Sequence, residues 1–310
     1  HAVVRDGRAQ TAHTPGGTGA LRVGADFIKQ RYPNARIWVS DPTWENHVKV
    51  FTAAGLETKT YPYYDPASKG LAFEGMTAAL SQVPKGDVVL LHACCHNPSG
   101  VDPSFEQWQQ IAGLCEKQGF LPFFDFAYQG FGDGVDTDAK ALRFFAERFP
   151  ELLIASSYSK NFGLYNERVG ACTLVAANKQ VAETAFGHIK GAVRANYSNP
   201  PSHGAAVVTA ILTDPSLRLE WEQELIGMCG RIHAMRELLV KELAVAGIKQ
   251  DFGFITQQKG MFSFSGLSRA QVDQLREKFA VYIVGSGRIN VAGLTPGNVG
   301  PLCKAIAAVI

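Results

Sequence analysis

Ser156-Ser157-Tyr158-Ser159-Lys160-Asn161-Phe162-Gly163-Leu164-Tyr165-Asn166-Glu167-Arg168-Val169-Gly170 is bracketed by two apolar runs, Leu152-Leu153-Ile154-Ala155 before it and Ala171-Cys172-Thr173-Leu174-Val175 after it. Both runs have the length and composition of buried strands. Between such strands, a loop with one lysine, one arginine and three serines among glycines and aromatics is a poor connector through open solvent. It suits an anionic ligand. An amine that attacks a carbonyl has to be partly desolvated and close to other cations, so that its free base is available. Lys160, with Arg168 eight residues on, fits a molecule with an aldehyde at one end and a phosphate at the other. Lys160 would form the imine while Ser157 and Arg168 hold the phosphate. The competing reading is a loop lysine that sits in water.

With 310 residues the chain is long enough for a large core and more than one domain. Hydrophobic residues make up 46% and charged residues 19%, which excludes a disordered or fibrous chain. A formal net charge of +2 gives no case for nucleic acid or an anionic membrane, so local basic residues have to account for anion binding. The six cysteines, at 94, 95, 115, 172, 229 and 303, show no paired-ligand spacing and mostly lie in apolar runs, as expected in a reducing compartment. No leader and no apolar run of membrane-spanning length is evident, and a cytoplasmic location is expected. The opening His1-Ala2-Val3-Val4 reads as the inside of a strand or loop, so the chain is expected to lack its natural beginning.

Thr14-Pro15-Gly16-Gly17-Thr18-Gly19 is a glycine-rich turn onto a helix with Leu21, Gly24, Ala25 and Ile28 on one face, either a phosphate-binding helix start or a bland cap. Arg36–Ser40 reads as a strand followed by Trp44 and His47, which are three apart at a helix start. They either lean over one cavity, with Trp44 stacking on a flat ring, or form a lid and a cap. The continuous apolar run Val88–Ala93 reads as a parallel strand covered on both faces. It leads to Cys94-Cys95-His96-Asn97-Pro98. Zinc is rejected for His92, Cys94, Cys95 and His96, since adjacent residues on an extended chain point in opposite directions. Asn97 stands just past a strand end, where open α/β sheets place ligand contacts.

The strand Phe120–Asp125 ends in a carboxylate whose burial is costly without a cation or donors, with Tyr128 three residues on. Asp125 either caps the next turn or holds a pyridine nitrogen protonated, which would make that ring an electron sink. Pyridoxal phosphate has such a nitrogen as well as the aldehyde and the phosphate. Further on, helices are expected over 178–194 and over Leu219–Ala246, the latter with an apolar stripe of Trp221, Leu225, Met228, Ile232, Met235 and Leu239. Strands at Met261–Phe264 and Val281–Val284, a helix over Arg269–Phe279 and a last helix from Pro296 read as a smaller α+β domain. Arg288, between a glycine and an apolar segment, suits a carboxylate or a surface turn equally.

These blocks, in this order over nearly the whole chain, closely resemble the aspartate and aromatic amino acid aminotransferases, fold-type I pyridoxal-phosphate enzymes; Ser159 to Gly170 is the most specific block. The resemblance implies an α/β fold, with a large cofactor domain over 1–225 around a mostly parallel sheet and a small C-terminal α+β domain over 226–310. It implies Lys160 as the Schiff-base lysine and the base at the substrate's α-carbon, Asp125 on the pyridine nitrogen, and Asn97 and Tyr128 on the phenolic oxygen. Trp44 would stack on the ring, and Gly17, Thr18, Ser157 and Arg168 would hold the phosphate, with Ser159 beside them. Arg288 would bind the α-carboxylate. Arg194, from the partner subunit of a homodimer, would bind a dicarboxylate's distal carboxylate, with Asn199 and Pro200 near that interface.

The N-terminal arm of that family, with a substrate-contacting glycine and a tyrosine that reaches the partner's phosphate, has no counterpart here. The expected activity is ping-pong transfer of the amino group of aspartate or an aromatic amino acid to a 2-oxo acid such as 2-oxoglutarate. A lyase is disfavoured by the two carboxylate-binding arginines. The alternative from a different class is an N-terminally incomplete pyridoxal-phosphate-binding protein without turnover.

Overall fold

The computed structural model describes all 310 residues. Its strands are Ala9–Pro15 (β1), Arg36–Asp41 (β2), Glu57–Pro62 (β3), the short pair Tyr64–Asp65 (β4) and Gly70–Leu71 (β5), Val88–His92 (β6), Leu121–Phe126 (β7), Leu152–Ser157 (β8), Val169–Val175 (β9), Phe262–Phe264 (β10) and Arg288–Asn290 (β11). Seven of them form one sheet in the order β1-β9-β8-β7-β6-β2-β3. Every pairing from β8 to β3 is parallel, and only β9 runs against its neighbours.

Alternation along the central strands feeds two separate cores. Val88 and Leu90 of β6, with Phe123 and Leu153, pack beneath the helices Gly16–Arg31, Asn46–Ala53 and Lys179–Asn196. Val89 and Leu91, with Phe124 and Leu152, face the helices Phe105–Gln118, Lys140–Arg148 and Pro215–Val245. Each such side chain contributes about 1.5–3 kcal/mol when fully buried, so both faces are closed. Along β6 and β7 polar side chains are left only near the carboxyl ends, at His92 and Asp125.

The chain runs outward from β2 to β3, returns to β6 beside β2, and then proceeds to β7 and β8 on the other side. The reversal between β2 and β6 opens a crevice beyond the carboxyl ends of the strands. Trp44, Asn97, Asp125 and Lys160 all lie at or just past those ends.

The helix Pro215–Val245 starts on an Asp214 cap and buries Leu225, Ile232, Met235 and Leu239. Met228, expected in the same stripe, is 39% exposed. The position 225/226 falls within this helix, and the C-terminal elements share its core through Val272, Leu275, Val299 and Ile306. Arg231 donates to the carbonyls of Ala292 (3.0 Å) and Leu294 (2.6 Å). Arg236, fully buried, donates to those of Ile255 (3.0 Å), Gly260 (2.7 Å) and Phe262 (2.9 Å) and to Ser263 Oγ.

Two expectations are corrected. Ala2–Arg5 is one helical turn, since Val3 packs into the core and Arg5 and Asp6 close i→i−4 bonds onto His1 and Ala2. The glycine-rich turn onto a helix is present at its shortest: β1 ends at Pro15, Gly16 takes a left-handed backbone at φ 74°, and the helix starts there. Val281–Val284 is not a strand. No strand of the chain lies alongside it, and Tyr282 is 78% exposed; the strand that pairs with β10 is Arg288–Asn290 instead.

Gly170 of β9 sits against the start of the Gly16–Arg31 helix, where a Cβ would lie 2.3 Å from the Gly16 carbonyl carbon and 2.7 Å from the Gly17 nitrogen. Neither neighbour is a side chain that can rotate away. Gly170→Ala is therefore expected to destabilise the chain by about 1–3 kcal/mol, read as a lower urea midpoint with unchanged slope.

Candidate active site

A cavity of about 350 Å³ at the carboxyl ends of the strands is lined by Gly17, Thr18, Trp44, Asn97, Asp125, Tyr128, Ser157, Ser159, Lys160, Arg168 and Arg288. They come from the first turn of the Gly16–Arg31 helix, the carboxyl ends of β7 and β8, the segments that follow β2, β6, β7 and β8, the approach to β9 and the start of β11, which accounts for their dispersal in the sequence. Leu21, Ala127, Tyr165 and Phe262 complete the wall. A larger cavity of about 390 Å³ lies at the opposite ends of the strands, between Val88, Leu121 and Glu151. Its Arg148 and Glu116 are already paired with each other.

At one end of the site, Asp125 Oδ2 bonds His47 Nε2 at 2.9 Å. His47 is 0% exposed, its Nδ1 meets Thr43 Oγ1 at 2.8 Å, and its ring lies edge-on to Trp44 at 5.2 Å. Burial raises the Asp125 pKa, but the His47 bond, with the charges of His47, His92 and Lys160, outweighs it and holds the carboxyl below its ordinary value. Asp125 Oδ1 has no hydrogen-bond partner in the chain. The carboxylate is thus charged with one oxygen left for a donor in the cavity.

At the other end the Gly16–Arg31 helix presents its first turn beside Ser157 and Arg168. A Cβ on Gly17 would come within 2.9 Å of Ser157 Cβ, so glycine lets the helix start approach β8. Ser157 Oγ donates to Ser159 Oγ at 3.1 Å. Arg168, in the left-handed region at φ 53°, donates from Nη1 to the Tyr165 carbonyl at 2.7 Å. Such a conformation costs a non-glycine residue of order 1–2 kcal/mol. It turns the guanidinium toward unsatisfied helix N–H groups, and together they form a cup for a dianion.

Between the two ends lies Lys160, with Nζ 4.6 Å from the Tyr128 ring centroid. Burial lowers its pKa, Asp125 pulls it back up, and Arg168 adds to the lowering. The Lys160 loop is held from behind by Trp221, which donates to the Asn161 carbonyl at 2.6 Å and stacks on Phe162 at 4.6 Å. At the mouth, Asn97 Nδ2 donates to the Tyr128 hydroxyl (3.3 Å) and Arg288 Nη1 donates to Asn97 Oδ1 (3.1 Å). The Arg288 guanidinium also lies 4.6 Å over the Phe262 ring.

Arg194 alone of the expected site residues is not in the wall of this cavity. It is exposed at the end of the Lys179–Asn196 helix and donates to Ser198 Oγ at 2.5 Å. Sequence reasoning missed three residues. His47 was noted only as a neighbour of Trp44, although the cost of burying Asp125 called for such a donor. Phe262 reaches Arg288 as a diagonal neighbour across β10 and β11, a register with no local signal. Tyr165 lay within the opening stretch without a role. His92, Cys94, Cys95 and His96 go to different neighbours: the His92 ring lies tilted against His47 at 5.2 Å, His96 bonds Ser40 and Ser99, and the two thiols face Asp138.

The fit to pyridoxal phosphate rests on this donor set. A charged carboxylate with a free oxygen, a cup for a dianion, a part-buried amine between them and an aromatic wall at Trp44 match the ring nitrogen, phosphate, aldehyde and ring face in order.

His92 lies directly under this site, with both ring nitrogens unpartnered, and burial pushes its pKa down to about 3. His96 is shifted in the same direction. The folded state keeps these rings neutral where the unfolded chain protonates them, so stability is full above about pH 6.5 and falls as pH drops from there toward 3. Each histidine contributes a slope of about 1.4 kcal/mol per pH unit. The Asp125 contribution is lost only below the ordinary carboxylate range. Urea midpoints are expected to drop between pH 7 and pH 5, and His92→Gln is expected to flatten that dependence.

The family model described as "Aminotransferase class I and II" matches residues 1–306. The aspartate aminotransferase of Salmonella typhi is 58% identical over the whole chain, which spans 78% of that relative. The aromatic-amino-acid aminotransferase of Escherichia coli K12 is 47% identical, again over the whole chain and 78% of the relative. Among solved structures, the aromatic-amino-acid aminotransferase of Burkholderia pseudomallei covalently bound to pyridoxal phosphate superposes with a TM-score of 0.98 at 49% identity, covering 100% of this chain and 77% of that one.

Proposed function

Because this chain belongs to the class I and II aminotransferases and works with pyridoxal phosphate, we propose a division of labour among its residues in moving an amino group from an amino acid to a 2-oxo acid. When bound, the cofactor supplies an aldehyde that takes and returns the amino group and a ring that draws electrons from the α-carbon. Lys160 anchors it covalently and then serves as the base that moves a proton at the substrate's α-carbon. The lowered pKa of this amine keeps more of it in the free-base form that both tasks need. Asp125, kept charged by His47, holds the ring nitrogen protonated. Asn97 and Tyr128 hydrogen-bond the phenolic oxygen, and Trp44 covers the ring. Gly17, Thr18, Ser157 and Arg168 hold the phosphate, with Ser159 bracing Ser157.

Arg288 binds the substrate's α-carboxylate, and the observation that carries the reading is its position. Its guanidinium is oriented by Asn97 and Phe262 at the mouth of a cavity that holds Lys160 and Asp125. In this reading residues 1–225 provide the cofactor site and 226–310 the substrate arginine. Aspartate and aromatic amino acids are the donors and an acid such as 2-oxoglutarate the acceptor, in two half-reactions through one cavity. All six cysteines are free thiols, which supports a reducing, cytoplasmic setting.

Lys160→Ala is expected to lower turnover of aspartate and of tyrosine with 2-oxoglutarate by at least about 10²–10⁴-fold and to abolish borohydride-reducible attachment of the cofactor. Attachment that survives in the variant sinks the assignment. Arg288→Lys is expected to raise KM for every amino and oxo acid, because an ammonium loses the two-pronged grip on a carboxylate.

We place Arg194 in the site of a second copy, since within one chain it stands outside the cavity. Mixing Lys160→Ala with Arg194→Ala chains under conditions that re-form dimers is expected to restore aspartate turnover, because one hybrid site regains both groups. No recovery would return Arg194 to its own chain or to the surface.

A further inference from the structure

On the sheet face opposite the Gly16–Arg31 helix, a cavity of about 220 Å³ is lined by Cys94, Asp102, Asp133, Asp138, Lys140 and Lys259, among others. It shares no lining residue with the site described above. Cys94 and Cys95 are adjacent in sequence, and on an extended strand their thiols would diverge. Here the strand has ended at His92, and Cys95 takes a left-handed backbone at φ 52°. The turn brings both thiols to one side. Cys94 Sγ, Cys95 Sγ and an Asp138 carboxylate oxygen lie within 4.8 Å of one another, and all three residues are buried.

The Asp138 carboxylate is fixed by backbone N–H groups. Oδ2 accepts from Gly130 (2.8 Å) and Gly132 (3.0 Å), and Oδ1 from Asp133 (2.8 Å). Oδ1 therefore keeps a free lone pair. Lys259, paired with Asp133 on the cavity rim, limits the build-up of negative charge.

We propose that Cys94, Cys95 and Asp138 form a binding site for a thiophilic divalent cation of the zinc and cadmium class. Two sulfurs and one carboxylate oxygen are a soft-leaning donor set that selects such ions over magnesium or calcium. With metal–sulfur bonds of about 2.3 Å, a tetrahedral ion needs its two sulfurs about 3.8 Å apart, which small rotations of side chains already within 4.8 Å provide. The fourth position opens on the cavity and takes water. Binding breaks two S–H bonds, forms two metal–sulfur bonds and releases two protons to solvent, with no change of oxidation state. A cysteine thiol is protonated near neutral pH and binds metal as the thiolate, so each of the two ligands gives up one measurable proton. The other trio at ligand spacing, His47, His92 and Asp125, is excluded because Asp125 belongs to the cofactor site.

The test is titration of the holoenzyme with Cd²⁺ under reducing, chelator-free conditions in weak buffer. The expected result is one ion per chain, a sulfur-to-metal charge-transfer absorbance and release of about two protons per ion. The absorbance should vanish in Cys94→Ser and in Cys95→Ser and persist in Cys229→Ser. The Cys229 control matters because its thiol lies 3.8 Å from His233 Nε2 and is the competing soft site. Should a serine variant fail to fold, the wild-type proton count still decides, since a cysteine–histidine pair releases about one proton where the vicinal pair releases about two. Absence of the band, its survival in both vicinal variants, or release of a single proton overturns the proposal.

Discussion

The Asp125 carboxylate ends a strand whose side chains are buried on both faces, and withdrawing such a charge from water costs several kcal/mol unless donors meet it. The His47 imidazole meets one oxygen at 2.9 Å, and that contact ties the start of the Asn46–Ala53 helix to the carboxyl end of β7. Trp44 is carried with it, edge-on to His47. The second oxygen is left facing the cavity, so a need of the fold and a need of the chemistry are met by one side chain. Remove the imidazole and the carboxylate has either to protonate or to admit water, and in both cases the charge that the proposed contact to a ring nitrogen needs is lost.

Much of this architecture was legible because the central strands are apolar without interruption. Val88–Ala93 reads as a strand covered on both sides and Phe120–Asp125 as another buried one, and a polar residue at or past the end of such a run stands where a parallel sheet exposes its carboxyl ends. Asn97 was found by that rule, Asp125 by the cost of burying a carboxylate at such a place, and Lys160 by the company of Arg168 and the serines in a loop between two buried runs. The mixed edge strands were not visible: Ala9–Pro15 and Glu57–Pro62 carry threonines, a lysine and prolines, and only pairing with a neighbour makes them strands. Val281–Val284 fails in the opposite direction, with strand composition and no partner.

Site partners that depend on register or on long-range approach were equally hidden. Phe262 supports Arg288 because two three-residue strands pair in one register, and no periodicity announces that. The vicinal cysteines show a subtler limit. The rule that neighbours on an extended chain diverge is sound, but it presumes extension, and the backbone turns at Cys95. The same turn frees Asn97 to reach Tyr128 and Arg288.

The helix Pro215–Val245 touches both working ends of the cavity. Trp221 braces the loop that carries the amine, while Arg231 and Arg236 tie the segments that flank Phe262 and Arg288. A rod fastened at both places acts as a calliper, steadying the span between the Lys160 amine and the Arg288 guanidinium. In the proposed reaction those two groups meet the fragment every α-amino acid has in common, while the remainder of the substrate lies outside the jaws. Such a ruler permits a single scaffold to accommodate donors as unlike as a short diacid and a bulky aromatic without readjusting the reacting atoms.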